Sequence, residues 1–140
     1  MRFLVSWVHG DDSHLAHRRG ETPSQFVSKV IQIASDQEAA LSSVGLTELV
    51  HGIYRATSPE RQARRKWFVD ELCAGLIVYP YTRETALLAG RIDGEQTARG
   101  SIIPFTDLLI GATALSLDFS VLTANVRHFQ MIPGLTVVSL

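Results

Sequence analysis

Apolar residues recur along this chain in two rhythms. The first is a short, nearly continuous run: RFLVSWV at 2–8, ALSSVGL at 40–46, LIVYPY at 76–81, FSVLT at 119–123 and LTVVSL at 135–140. Runs of this length, closed by Pro80 or preceded by the Pro133-Gly134 turn, predict buried strands. The second rhythm spaces apolar residues three and four apart, which predicts helices between the runs. Thr22-Pro23 opens one, with Phe26, Val27, Val30, Ile31 and Ala34 on its apolar face. Thr47 begins another through ELVHGIYRA, and Ser58-Pro59 begins the next, a cap followed by proline at the tolerated first position. This helix is expected to turn Ala63, Trp67, Phe68 and Leu72 inward and Arg61, Arg64, Arg65 and Lys66 outward. Residues 82–99 read as a long helix stopped by Gly100. IPFTDLLIGATAL, at 102–114, supplies a further helix with Thr106 and Asp107 as its start residues.

Near-continuous strands alternating with helices predict a parallel sheet covered on both faces. The expected fold is therefore α/β, a three-layer α/β/α sandwich with a mainly parallel central sheet. At 140 residues, positions 1–140 form one domain.

Composition narrows the function classes. A formal charge of -1 gives no overall basic field, so any nucleic-acid contact must use a local patch, and Arg55, Arg61, Arg64, Arg65 and Lys66 are the one basic concentration. A single cysteine, Cys73, excludes an internal disulfide and a cysteine-rich zinc site, and suits a reducing compartment. No apolar run approaches the roughly 18 residues that span a bilayer, and MRFLVSWV lacks the features of a secretory signal. The expectation is a cytoplasmic protein without a membrane partner. Walker, dinucleotide and Gly-x-Ser-x-Gly motifs do not occur.

In doubly covered parallel sheets, sites form beyond the carboxyl ends of the strands. The junctions there carry Asp11-Asp12-Ser13, Thr47-Glu48, Thr106-Asp107 and Ala124-Asn125. Asp, Thr and Asn taken alone are routine caps or turn formers, whereas Glu48 is not a preferred cap. Taken together they are crowded carboxylates, which repel unless a cation lies between them. Hard oxygen donors suit Mg²⁺ or Mn²⁺, which accept phosphate oxygens as further ligands.

SSVGLTELVHGIYRA, IPFTDLLIGATAL and VLTANVRHFQMIPGLTVV, in that order and separation, closely resemble three successive signature blocks of PIN-domain ribonucleases, in particular VapC toxins. The resemblance runs from about residue 18 to the C-terminus. It implies a PIN fold, a Mg²⁺- or Mn²⁺-dependent endoribonuclease acting on RNA, a homodimer and a small antitoxin partner. It also implies that Glu48 and Asp107 are metal-site carboxylates and that Asn125 stands where the family has Asp or Asn. The first block departs from the pattern: Asp12-Ser13-His14-Leu15 is the best match, Asp11 is its rival, and Arg18-Arg19-Gly20 follows two or three residues early. The expected site is Asp12, Glu48 and Asp107 holding one or two ions, with Asn125 supporting a water or a neighbouring carboxylate. The irregular first block favours one alternative, a PIN-like protein that binds a partner or RNA without cutting it.

Other residues are read more plainly. Asp93 and Glu95 belong to a solvated helix face, and His9, His14 and His17 to the surface. His128 is expected to orient a turn, although its residue type also suits a general base. Tyr54, Trp67 and Phe68 are assigned to the core or a subunit interface, and Met131 and Phe129 to packing under the final turn. Gly52 and Gly111, inside helices, predict close helix or backbone approach.

Overall fold

The computed structural model describes residues 2–6, Ser28, Gln32 and residues 38–139. Five strands form one sheet: β1 (Phe3–Ser6), β2 (Ala39–Ser42), β3 (Ile77–Tyr79), β4 (Ser120–Thr123) and β5 (Val137–Ser139). Their order is β3-β2-β1-β4-β5, and every neighbouring pair is parallel. Around them lie α1 (Ser43–Arg55), α2 (Pro59–Gly75), α3 (Arg83–Ala98), α4 (Phe105–Leu117) and α5 (Val126–Gln130).

Alternation along the strands sends side chains to two separate cores. Phe3, Val5, Leu41 and Leu122 pack with Leu49 and Ile53 of α1 and with Phe68, Val69 and Leu72 of α2. Leu4, Ala40 and Val121 face the other way, onto Ile92 of α3, Leu108, Ile110 and Ala114 of α4, and Phe129 of α5. The expected three layers are present. The central strands β1 and β4 are buried throughout, whereas the edge strands β3 and β5 are half-exposed.

Several boundaries differ from the sequence reading. ALSSVGL is not a single strand: β2 ends at Ser42, and α1 starts at Ser43 rather than at Thr47. Ser42 is both the last strand residue and the helix cap, its hydroxyl accepting a hydrogen bond from Gly45 N at 2.8 Å. Val44 and Leu46 look like strand residues because both are apolar and go inward, Val44 to one core and Leu46 to the other. Thr47 is therefore inside the helix, its hydroxyl donating to Ser43 O at 3.0 Å. Pro104, not Thr106 or Asp107, occupies the cap position of α4, and no side chain caps that end. The short helix α5 is unexpected; its five residues carry too little periodicity to reveal it.

In α2 the cap Ser58 and first-turn Pro59 stand as predicted, but Ala63 and Trp67 are exposed and Val69 takes the inward place. Arg65 is not free in solvent either. Its guanidinium Nη1 donates to Gly52 O of α1. The close approach expected at Gly111 is present, since a Cβ there would run into the terminal methyl of buried Ile132. Gly100 and Gly134 have φ of 78° and 79°, the left-handed geometry glycine favours, at the predicted helix stop and turn. Of the first strand, expected over 2–8, residues 7 and 8 lie outside the described residues. The helix expected from Thr22 falls there too, apart from Ser28 and Gln32, which are helical and exposed.

Candidate active site

The carboxyl edge of the sheet is lined by hydroxyls. Ser6, Ser42 and Thr123 end the three central strands, all are buried, and Ser6 lies in register with Thr123. Two of these hydroxyls organise the chain that leaves their strand. Ser42 caps α1, and Thr123 Oγ1 accepts from Asn125 N at 3.0 Å, fixing the turn that leads into α5. Ser43 Oγ accepts from Tyr81 N at 3.1 Å and ties the end of β3 to the start of α1.

On this edge, α4 delivers Asp107. The helix ends shortly before β4 begins, so its first turn lies near the opposite end of that strand. Asp107 is the acidic residue of this turn, where the helix dipole favours negative charge. Its Oδ2 lies 2.8 Å from Nδ1 of His128 and 3.4 Å from Nδ2 of Asn125, which donates to it. Asn125 Nδ2 is also 2.7 Å from His128 Nδ1. A hydrogen on His128 Nδ1 lets the ring donate to Asp107, whereas a bare Nδ1 accepts from Asn125 Nδ2, so the imidazole tautomer sets which of the two contacts is the hydrogen bond. The Asp107 side chain is only 16% exposed and that of His128 39%, so the carboxylate is sheltered and the imidazole reaches the surface. No described residue donates to the second carboxylate oxygen, Oδ1.

Glu48 comes from the second turn of α1 and is half-buried. Its helix meets α4 just past the sheet edge. A Cβ on Gly45 would lie 3.8 Å from Cδ1 of Ile110. Glu48 follows Gly45 by three residues and Asp107 precedes Ile110 by three, so each stands about one helical turn from that contact. Glu48 and Asp107 thus belong to one end of the molecule. Asp12 and its rival Asp11 lie outside the described residues, as do His9, His14 and His17. Among the described residues no three His, Cys, Asp or Glu side chains gather as a cation site.

His128 is the member that sequence reasoning undervalues. Its expected part, orienting a turn, understates a hydrogen bond that reaches 21 positions back to Asp107. The signal available is its spacing, three residues after Asn125 and hence one helical turn on. Glu95 pairs with Arg91 at 3.0 Å on the solvated face of α3, as expected, and Asp93 is half-buried on the same helix. At Cys73, desolvation and secondarily Asp70 push the thiol up, away from the reactive thiolate.

Known proteins resemble this chain in sequence and in fold. A family model described as the PIN domain matches residues 10–134. The chain is 32% identical over 119 residues to Ribonuclease VapC19 of Mycobacterium tuberculosis, covering 85% of this chain and 88% of that protein. It is 31% identical over 97 residues to the tRNA(fMet)-specific endonuclease VapC of Salmonella typhimurium, covering 69% and 71%. Among solved structures, VapBC2 of Rickettsia felis, bound to a promoter DNA fragment, superposes with a TM-score of 0.79 at 21% identity, over 100% of this chain and 99% of that one. At that identity the likeness speaks for the fold.

Proposed function

The chain belongs to the PIN-domain family, and we propose that it is a metal-dependent endoribonuclease, the toxin of a toxin–antitoxin pair, working at the Asp107 end of the sheet. The observation that carries this reading is the arrangement of Asp107. A sheltered carboxylate has one oxygen fixed by His128 and Asn125 and the other without a described donor, at the helix junction shared with Glu48. The relatives are ribonucleases by name, which disfavours the alternative of a non-cutting binder.

The donor chemistry fits a hard divalent cation. Glu48 and Asp107 offer carboxylate oxygens, and no described sulfur stands beside them to favour a softer metal. We assign the third carboxylate to Asp12. When bound, Mg²⁺ or Mn²⁺ would neutralise charge developing on the phosphoryl oxygens and make the attacking water a stronger nucleophile. The chain's own residues supply position. Asn125 and His128 hold Asp107 in one orientation, so no rearrangement is needed as negative charge builds in the cleft. Thr123 holds Asn125, and Ser42 holds the first turn of the helix that carries Glu48. The reaction is in-line hydrolysis: a water oxygen bonds to phosphorus while one ribose oxygen leaves from the opposite side. A small antitoxin and a second copy of the chain complete the reading. Exposed Leu87 on α3, Ile102 in the connection that follows and Phe105 at the start of α4 are the apolar surface we assign to self-association.

The test is RNA cleavage by purified protein with Mn²⁺, Mg²⁺ or EDTA. Asp107→Asn keeps the size of the side chain and removes its charge. It should lower metal-supported cleavage at least a hundredfold and move the melting temperature by no more than a few degrees. Full cleavage by this variant would remove Asp107 from the mechanism.

A further inference from the structure

The α1–α2 connection carries charge where its own helix disfavours it. Arg61, Arg64, Arg65 and Lys66 crowd the first two turns of α2, the positive end of its dipole, with only Glu60 to offset them. The acidic residues Asp70 and Glu71 sit further along, so the charge order is reversed relative to what stabilises a helix. Two of the cations have partners inside the protein: Arg65 donates to Gly52 O, and Lys66 is 2.8 Å from Asp70. The other two, together with Arg55 in the last turn of α1, have none among the described residues. Arg55, Arg61 and Arg64 are exposed and make no side-chain hydrogen bond or ion pair with any described residue. A local rule broken without compensation from the described residues points to a ligand, and the ligand for three exposed guanidiniums is an anion.

Exposed aromatics lie among these cations. Tyr54 is 76% exposed and Trp67 40%, although the sequence reading places both in the core or an interface. Tyr54 adjoins Arg55 in sequence, and Trp67 follows Arg64 by three positions, one turn along the same face of α2. Guanidiniums for phosphates beside flat rings for bases make up a surface for single-stranded nucleic acid, which a purely acidic peptide would not need. The patch also lies in line with the site. Glu48, His51 and Arg55 follow at spacings of three and four on α1, so one helix face leads from the carboxylate to the patch over about 10 Å.

We propose that Arg55, Arg61 and Arg64, with Tyr54 and Trp67, form an RNA-backbone binding site outside the cleavage centre, holding the single strand as it leaves along α1. This inference rests on the ribonuclease reading for its ligand class but not on the metal chemistry.

It can be tested without cleavage, by fluorescence anisotropy of a labelled single-stranded RNA of about 20 nucleotides on the full-length protein in EDTA, across a range of salt. The triple variant Arg55→Ala/Arg61→Ala/Arg64→Ala should bind at least tenfold more weakly. Its slope of log affinity against log salt should be shallower by about 2, from about 0.7 for each phosphate that the variant no longer neutralises. The triple lysine variant should keep the slope, and Trp67→Ala should weaken binding without changing it. Arg91→Ala, which removes a cation from the distant helix α3, should bind as the unaltered protein does. Unchanged affinity and slope in the triple alanine variant would overturn the proposal, even if the protein cleaves RNA. Conversely, arginine-dependent binding by a protein that never cleaves would uphold this site and overturn the nuclease reading.

Discussion

Helices α2 and α4 both begin with charged side chains, yet they put that charge to opposite uses. Helix α4 has thirteen residues, six of them buried, and one carboxylate at its head. Helix α2 has seventeen residues, three of them buried, and four cations in its first half. In α4, packing on nearly every side immobilises the backbone, so Asp107 is aimed by the core itself and finished by two hydrogen bonds. In α2, a narrow apolar stripe suffices for attachment, and the remaining surface is free to carry charges and rings that need only proximity to a flexible ligand. The contrast separates two physical demands, sub-ångström placement for chemistry and loose multivalent attraction for capture.

Core substitutions should therefore act unequally on the two helices. Ile110→Ala removes a side chain with no solvent exposure at the point where α4 meets α1. It should cost about 3 kcal/mol in urea unfolding and lower cleavage as well, because Asp107 and Glu48 lose their common support. Cleavage that stays unchanged despite that destabilisation would mean that the core does not aim the carboxylates. Gly111→Ala adds a methyl against Ile132 and Leu135. The overpacking, about 1–3 kcal/mol, is partly offset by about 1 kcal/mol of helix propensity, giving a net destabilisation of about 1 kcal/mol by the same measurement. On α2, Trp67→Ala should cost about 1 kcal/mol, less than Ile110→Ala, since the residue is 40% exposed. A destabilisation of about 2 kcal/mol or more would return Trp67 to the structural role its sequence position suggests.

Helix α4 and the sheet are legible in the sequence because both are governed by local rules. Near-continuous apolar runs mark the strands, Gly100 and Gly134 mark a helix stop and a turn, and Ser58-Pro59 marks a helix start. Legibility falls where one residue serves two elements. Ser42 closes a strand and caps a helix, so the periodicity of ALSSVGL mixes two structures in one run. The inward assignment of Trp67 fails because ring size is a poor sign of burial on a helix where Val69 supplies the packing. The tie between His128 and Asp107 is hidden for a different reason. It joins two helices across a strand, and spacing along a chain carries no record of such a pairing.

The short margins of the sheet have a consequence for assembly. Strands β3 and β5 offer three residues each, and Pro80, which cannot donate a hydrogen bond, stands directly after the first of them. Neither border is long enough to recruit another molecule by extending the ladder. Association of two chains through the described residues would then be written in side chains on helical surfaces, where point substitutions can tune or abolish it while the ribbon of strands stays as it is.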